Sequence, residues 1–514
     1  MPLIDEELFA PLYCDDNGRP NKAVSIVFGV LLLKEMFNLT DEETLEQLEF
    51  NLLWHHALRL TPEEAHLCQK TLHNFRVRLM EQDIGRLAFQ ETTDKIIQAL
   101  GVKTSRQRLD STHIVSNFAI LTRLGLFCET IRVFLKALKE AHPRLYAQVP
   151  EGLRLRYLNE EDGATGYGDA RSDCARRRLS VCARDLYRLV NRFRGTGAAA
   201  LEAYGLLERL LEEQCEEVTK VERPREDDDD SGEGGVPVKV KESKEVKSDS
   251  LQTPHDPDVT YSGHKGKGYE VQVAETCHEE NEVQIITHVE VTDSCYSDAC
   301  ATIPILEELK ARGIQPEELV ADTTYGSGDN AVQAACLGTE LVSPVGGSVS
   351  EEEASEEEGF LTAADFSIDP AYHRPTVCPG GQESIKEAEA RTPDQVEVVF
   401  SKEACEACPL YARCPAKFSS QENGYVVRVN LVKVNIEQRR RAEGKGTFQI
   451  RYAIRAGIEG TNSEVKRKHG MGRLRVRKRP RVVLSVYLKT LACNFKRMVR
   501  FLAAEEAELA PAMA

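Results

Sequence analysis

The sequence predicts an α/β core with an all-α domain in front of it, interrupted by one helical insertion and by one cysteine-bearing insertion. Three observations predict this arrangement. Apolar residues recur with helical spacing over the first hundred positions; two short apolar strands each carry an acid, Asp110 and Asp322; and a polar stripe, Tyr452, Arg455, Glu459 and Lys466, marks a helix near the end of the chain.

Composition bounds the class. A chain of 514 residues with 41% hydrophobic content has room for about three domains. No apolar run reaches the roughly 18 to 20 residues that span a bilayer, and the start, Met-Pro-Leu-Ile-Asp-Glu-Glu, lacks the basic region of a signal peptide, so a cytoplasmic protein with no membrane partner is expected. Fifteen cysteines, an odd number scattered through a long chain, point to reduced thiols. The formal net charge of −17 argues against a nucleic-acid partner only if it is evenly spread. It is not: acid concentrates at 225–230 and 351–358, whereas 433–500 holds 20 Lys or Arg against 4 Asp or Glu.

In chain order, residues 1–100 read as helices, with capping boxes at Thr40-Asp-Glu-Glu43 and Thr61-Pro-Glu-Glu64 that open new ones and Arg76 and Arg78 just beyond the bundle. Residues 101–117 hold the first strand, centred on Asp110; an acid inside an apolar strand is costly unless paired or bound to metal. Residues 118–222 return to helical periodicity, and 223–252, rich in Asp, Glu, Lys, Ser and Gly, read as an acidic disordered linker. The sheet resumes over 253–330: a basic Gly-rich turn with Lys265 and Lys267 feeds a strand, a second strand follows, and a helix leads to Asp322 at the end of a short buried strand, before Gly326 and Gly328. Residues 331–448 form the second insertion. There Cys405 and Cys408 share a Cys-x2-Cys turn, and Cys378 and Cys414 complete a four-thiolate set suited to a structural zinc ion. Residues 449–503 hold the polar helix, a basic loop and a last helix, and 504–514 a tail.

At roughly 100° per residue, Tyr452, Arg455, Glu459 and Lys466 fall within about 60° of one helix face, while Glu464 lies about 120° from Tyr452. One carboxylate among cations suits metal-assisted phosphoryl transfer; a solvated, salt-bridged face has the same spacing. The spacing resembles the Y-x2-R-x3-E-x6-K signature of a large group of bacterial insertion-sequence transposases of the DDE class. The contexts of Asp110 (Asp-Ser-Thr) and Asp322, the Gly-rich basic turn Gly263-His-Lys-Gly-Lys-Gly-Tyr269, the helical start and the cysteine cluster are similar to that group as well.

The resemblance implies an RNase H-like core with Asp110, Asp322 and Glu459 as ligands for two magnesium or manganese ions, and a β-rich character for the cysteine insertion. It implies that Tyr452, Arg455 and Lys466 grip the transposon end, with Arg467, Lys468, Arg473 and Arg475 in the loop that follows and Lys265 and Lys267 as further phosphate contacts. The partners it implies are double-stranded DNA, as terminal inverted repeats read by the N-terminal domain and as target, and a second subunit in a homodimeric or higher synaptic complex near the nucleoid. A zinc-stabilised DNA-binding protein without turnover, or an RNase H-like nuclease that does not join strands, are the alternatives. Some relatives hold a flipped base with a Trp in the insertion; the single tryptophan here is Trp54, in the N-terminal domain, which leaves Phe400, Tyr411 or Phe418 as substitutes.

Overall fold

The computed structural model describes residues 3–12, 22–158, 174–217, 237–346, 360–369, 374–388 and 395–509. The N-terminal segment folds into helices Val24–Phe37, Asp41–Phe50, Leu52–Leu58, Gln69–Glu81 and Ile84–Leu100. The first capping box forms: Glu43 N–H donates to Thr40 Oγ1 at 3.2 Å and Thr40 N–H to Glu43 Oε2 at 2.7 Å. The second does not start a helix. Thr61 N–H reaches Glu64 Oε2 at 3.0 Å, but the buried Ala65 and Leu67 draw the next residues into the core as an extended segment, and the following helix begins at Gln69. Arg76 and Arg78 lie inside that helix rather than beyond it, Arg76 paired with Asp41 and Arg78 donating to the Leu12 carbonyl at 2.7 Å.

The strands are β1 (Arg106–Ile114), β2 (Cys215–Glu217), β3 (Val238–Val240), β4 (Thr260–Ser262), β5 (Gly266–Thr276), β6 (Ile286–Asp293), β7 (Glu318–Ala321), β8 (Glu340–Val342), β9 (Ser367–Asp369), β10 (Arg374–Val377), β11 (Lys386–Ala388), β12 (Val396–Ser401), β13 (Lys417–Ser419) and β14 (Gly424–Val429). The central mixed sheet runs β4-β5-β1-β7-β8, with β6 also paired to β5. β5 is antiparallel to β1 and to β6, whereas β7 is parallel to β1 and β8 parallel to β7. β5 is buried almost throughout, because sheet neighbours flank it and helices cover it.

The last helix, Arg479–Leu509, packs on the N-terminal helices Val24–Phe37 and Ile84–Leu100 and on β6. One hydrophobic cluster therefore runs from Phe28 and Trp54 through Leu109 and Val273 to Leu488, so the N-terminal helices share their core with the sheet. The segment after β1 forms helices Arg123–Ala141, Pro143–Tyr146, Glu151–Leu158, Ala175–Phe193 and Glu202–Gln214 around a separate core that includes Phe134, Leu186 and Leu207. This insertion is not wholly helical, since β2 and β3 pair at its exit. That pairing also shortens the expected linker: 223–236 lie outside the described residues, but β3 is ordered and Ser250 and Leu251 are buried. The acidic run at 351–358 likewise lies outside them. The cysteine-bearing insertion is β-rich, with an antiparallel sheet β11-β12-β14-β13 and a small core of residues such as Phe366, Val398 and Phe400.

Candidate active site

The register of the central sheet brings the first two acids together. β1 and β7 run parallel with Leu109 opposite Ala321, so the next residue on each chain, Asp110 and Asp322, stand side by side at the same end. β7 ends there while β1 continues along β5, with Asp110 opposite Val273. Thr324 N–H donates to Asp322 Oδ1 at 2.7 Å and fixes that carboxylate in the turn after the strand.

The third acid arrives on a broken helix. The expected single helix is three pieces: Gly446–Ala453, a 3₁₀ turn Ile454–Ala456, and Gly457–Arg467. The 3₁₀ turn is braced from β1. Arg106 Nη2 donates to the Arg451 carbonyl at 3.0 Å and Arg108 Nη1 to the Ile454 carbonyl at 2.7 Å, the latter also accepting from Gly457 N–H within the turn. Gly457 lets Arg108 in, since a Cβ there would lie 1.9 Å from Arg108 Nη1. Tyr452, Arg455 and Glu459 thus sit on three different pieces.

Arg455 joins the site. Its guanidinium lies 3.4 Å from Asp110 Oδ1, 3.9 Å from Asp322 Oδ2 and 3.6 Å from Glu459 Oε1. The three side chains form an exposure gradient of 15%, 37% and 71%, so Asp110 is the most enclosed of the acids and Glu459 the one at the solvent edge. Burial raises the Asp110 pKa above the usual carboxylate range; Arg455 opposes this, while the neighbouring Asp322 and Asp298 add to it. Burial likewise pushes up the Tyr452 hydroxyl and pushes down the Lys466 amine. Tyr452 is stacked on Phe448 at 5.7 Å between centroids.

Two residues with no sequence signal belong to this surrounding. Asn462, one turn after Glu459, donates from Nδ2 to Asp110 Oδ2 at 3.4 Å, and its buried Oδ1 has no partner. Asp298 accepts from Ser111 Oγ at 3.2 Å and from Gln272 Nε2 at 2.9 Å. Glu464 points away, as its helical angle predicts, and is held by Arg497, Lys468 and Arg500 at 3.1 to 3.6 Å.

The basic residues divide. Lys265 reaches Glu270 Oε1 at 2.7 Å and Ser111 Oγ at 3.1 Å, and Lys267 donates to the Leu121 carbonyl at 2.7 Å, so both are engaged within the fold. Lys468 pairs with Glu464 at 3.6 Å, and Arg473 Nη2 donates to the Phe118 carbonyl at 3.2 Å; Arg467 and Arg475 are exposed. The basic loop is docked beside the end of β1, where Val115 N–H donates to the Gly472 carbonyl at 3.1 Å and Leu474 N–H to the Val115 carbonyl at 2.8 Å.

Cys378, Cys405, Cys408 and Cys414 line one small cavity of about 20 Å³. Burial and the neighbouring sulfurs push the Cys405 thiol up to about 11, and burial raises the Cys414 thiol as well. Their sulfurs are not drawn to the closest spacing in the fold. Among the described residues, the set whose ligand atoms all lie within 4.8 Å of one another is Glu464, His469 and Cys493. The Glu464 charge is already matched by Arg497, Lys468 and Arg500, which opposes a metal ion there. Trp54 is buried against Phe37, and Phe400 is buried against Phe366, whereas Tyr411 and Phe418 are exposed around Tyr425.

Comparison with known proteins matches two parts of the chain, and Asp110 and Asp322 lie outside both. Residues 377–499 match the family described as "Transposase DDE domain" and residues 2–78 that described as "Transposase domain (DUF772)". The first match covers the segment with Arg455 and Glu459, the second the first helices of the N-terminal bundle. Neither match reaches half of the chain; together they support an insertion-sequence transposase of DDE type, a kind of protein that acts on DNA as a polynucleotidyl transferase and typically uses a divalent metal. No curated protein and no solved structure matches. Among the described residues no helix is long and apolar enough to cross a membrane.

Proposed function

We propose that the chain cuts the ends of a transposable element and joins them to target DNA, with Asp110, Asp322 and Glu459 as the ligands of two divalent ions. The observation that carries this reading is Arg455, whose guanidinium lies within 4 Å of three carboxylates drawn from the middle of one strand, the end of another and a helix, more than a hundred residues apart at each step. Three oxygen donors gathered around one positive charge, the innermost with its pKa raised by burial and further by two neighbouring acids, fit a divalent cation of the magnesium type. When bound, such ions supply an activated attacking oxygen and neutralise charge on the leaving one. The strand order β6-β5-β1-β7-β8, antiparallel on one side of β1 and parallel on the other, supports an RNase H-like core.

The residues of the chain then bind and orient. Arg455 lies beside the carboxylates that would hold the ions, where its guanidinium can also meet DNA phosphates, with Tyr452, Lys466 and the exposed Arg467 and Arg475 continuing the track. The N-terminal helices contribute recognition of the terminal repeats, and Cys378, Cys405, Cys408 and Cys414 hold a structural zinc ion that pins an insertion with a small core of its own. The working form is a homodimer or larger, which brings two ends together. The exposed Tyr411 and Phe418 are the aromatics of the insertion open to a flipped base.

Glu459→Gln tests the reading on labelled terminal-repeat duplexes in magnesium. Cleavage and strand transfer should fall by more than the ~100-fold that loss of an outer-shell partner brings, with binding to the ends retained. Robust cleavage by that variant refutes the assignment; cleavage without joining by the wild type marks a nuclease.

A further inference from the structure

The strands that carry the first two acids are paired only up to them. Pairing between β1 and β7 runs from Arg106 opposite Glu318 to Leu109 opposite Ala321, so Asp110 and Asp322 stand one residue beyond the ladder, which does not set the distance between their carboxylates. A buried chain of side chains crosses the same gap. Ser111 and Gln272 stand opposite each other on β1 and β5, and strand alternation turns both to the face of the sheet away from Asp110. Asp298, in the 3₁₀ turn Asp298–Cys300, accepts from Ser111 Oγ at 3.2 Å and from Gln272 Nε2 at 2.9 Å. With its amide donor committed to Asp298, Gln272 turns its Oε1 the other way, where it accepts from the Tyr325 hydroxyl at 2.5 Å. Tyr325 follows Asp322 by three residues, in the turn that Thr324 N–H closes onto the Asp322 carboxylate. Its carbonyl is held as well, accepting from Asn330 Nδ2 at 2.8 Å and from Thr302 Oγ1 at 3.2 Å. Gln272 and Tyr325 are fully buried, so neither has water as an alternative partner. Burial above all raises the Tyr325 pKa, with Asp298, Asp110 and Asp322 adding to the rise, so the hydroxyl stays a donor.

We propose that Gln272 and Tyr325, oriented by Asp298, are positioning residues that set the spacing of Asp110 and Asp322 for divalent ions. The inference rests on the reading of those two acids as metal ligands and adds to it the parts that hold them. The tie begins beside Asp110, at Ser111, passes through β5 and ends in the turn after Asp322, so it spans the gap that the β1–β7 ladder leaves open. Asp322 adds to the cost of charge on Asp110, so without ions the two carboxylates repel, and the tie resists their separation. Magnesium tolerates little error in that separation, because it demands near-ideal octahedral geometry at about 2.0–2.1 Å.

The test titrates the full chain with manganese(II), a paramagnetic ion suited to the same oxygen ligands, and follows the free ion by electron paramagnetic resonance. Asp110→Asn defines binding elsewhere on the chain. Tyr325→Phe removes one hydroxyl and keeps the ring; it should weaken manganese binding at the site by roughly 10- to 100-fold, the loss that outer-shell partners of a metal bring, and shift the magnesium midpoint of cleavage by the same factor. Gln272→Glu, which sets two carboxylates against each other, should do the same. The double variant Gln272→Glu/Asp298→Asn reverses that bond at unchanged net charge, the new carboxylate accepting from both the Tyr325 hydroxyl and the new amide, and should bind manganese within a fewfold of wild type. Tyr325→Phe with unchanged manganese affinity, whether or not it melts lower in EDTA, shows a tie that serves stability alone and overturns the inference. A double variant no better than Gln272→Glu overturns it too, and both results leave the catalytic reading intact. Wild-type protein that binds manganese no better than Asp110→Asn removes the site itself and refutes that reading with the inference.

Discussion

Asp110 shows how one residue ties the sheet to the chemistry. It is the most enclosed of the three acids, and its carboxyl is raised by burial, with Asp322 and Asp298 adding to the cost of its charge. A carboxyl whose folded pKa lies above its unfolded value takes up a proton more readily in the fold, so its favourable contribution is present at acid pH and lost as pH rises through the folded pKa. At neutral pH without metal, ionised Asp110 therefore strains the fold. Asp110→Asn should melt higher than wild type at pH 7.5 in EDTA, and the gap should close as pH falls below the ordinary carboxylate range. Magnesium should raise the melting temperature of wild type and leave the variant nearly unmoved. A variant that melts lower at pH 7.5 contradicts this account. The position of Asp110 was legible because an acid in an apolar strand has few benign explanations. Asn462 and Asp298 were not, since their roles arise from register and helix placement and leave no mark on neighbouring residues.

At the scale of the element, the polar stripe was readable but the continuous helix it implied was not. Uniform helical geometry places four side chains on one face; the fold reaches the same end with two helices and a 3₁₀ turn, where arginines of β1 donate to the carbonyls of Arg451 and Ile454. Those arginines precede the helix by more than three hundred positions, so no local pattern reveals them. Beneath the break, Arg108 also holds Glu275, whose fully buried carboxylate accepts from Thr461 Oγ1 at 2.7 Å and pairs with Arg497 at 3.0 Å. Gly457 is the gap through which Arg108 enters. Gly457→Ala should displace the guanidinium, weaken its hold on Ile454 and tilt Arg455 and Glu459 away from Asp110. A misplacement of about 1 Å can cost about 100-fold in rate, so cleavage should fall by that order while binding of terminal-repeat DNA changes little. Equal losses in binding and cleavage, or none in either, count against the role assigned to the break. The same limit applies to the second capping box: Thr61 and Glu64 make their bond, yet burial of Ala65 and Leu67 overrides the helix it announces.

Across the whole molecule, the sequence divides into segments by composition and periodicity, and the helical and cysteine-bearing insertions do keep separate cores. The N-terminal bundle behaves differently, since its apolar faces close against the last helix; a Cβ on Gly85 would lie 2.7 Å from Leu484 Cδ1. Charge crosses that boundary too. Buried Lys489 pairs with Glu35 at 2.6 Å and donates to the His469 carbonyl at 2.6 Å, while His469 Nδ1 lies 3.2 Å from the Glu35 carbonyl oxygen. Burial holds His469 neutral, its pKa pushed down to about 4, which suits an Nδ1–H that donates to that carbonyl. These residues, at positions 35, 469 and 489, clamp the end of the Glu459 helix to the first helix of the chain. Glu35→Leu should leave Lys489 buried with no carboxylate and lower the stability of the bundle by about 3–5 kcal/mol, whereas the double variant Glu35→Leu/Lys489→Met should recover most of the loss, because removing both charges also removes the cost of burying them. Trp54, the single tryptophan and itself buried in the bundle, makes the measurement direct through its fluorescence in a urea titration. A single variant that unfolds at the wild-type midpoint, or a double variant no better than the single, shows that the clamp does not hold the bundle to the catalytic helix.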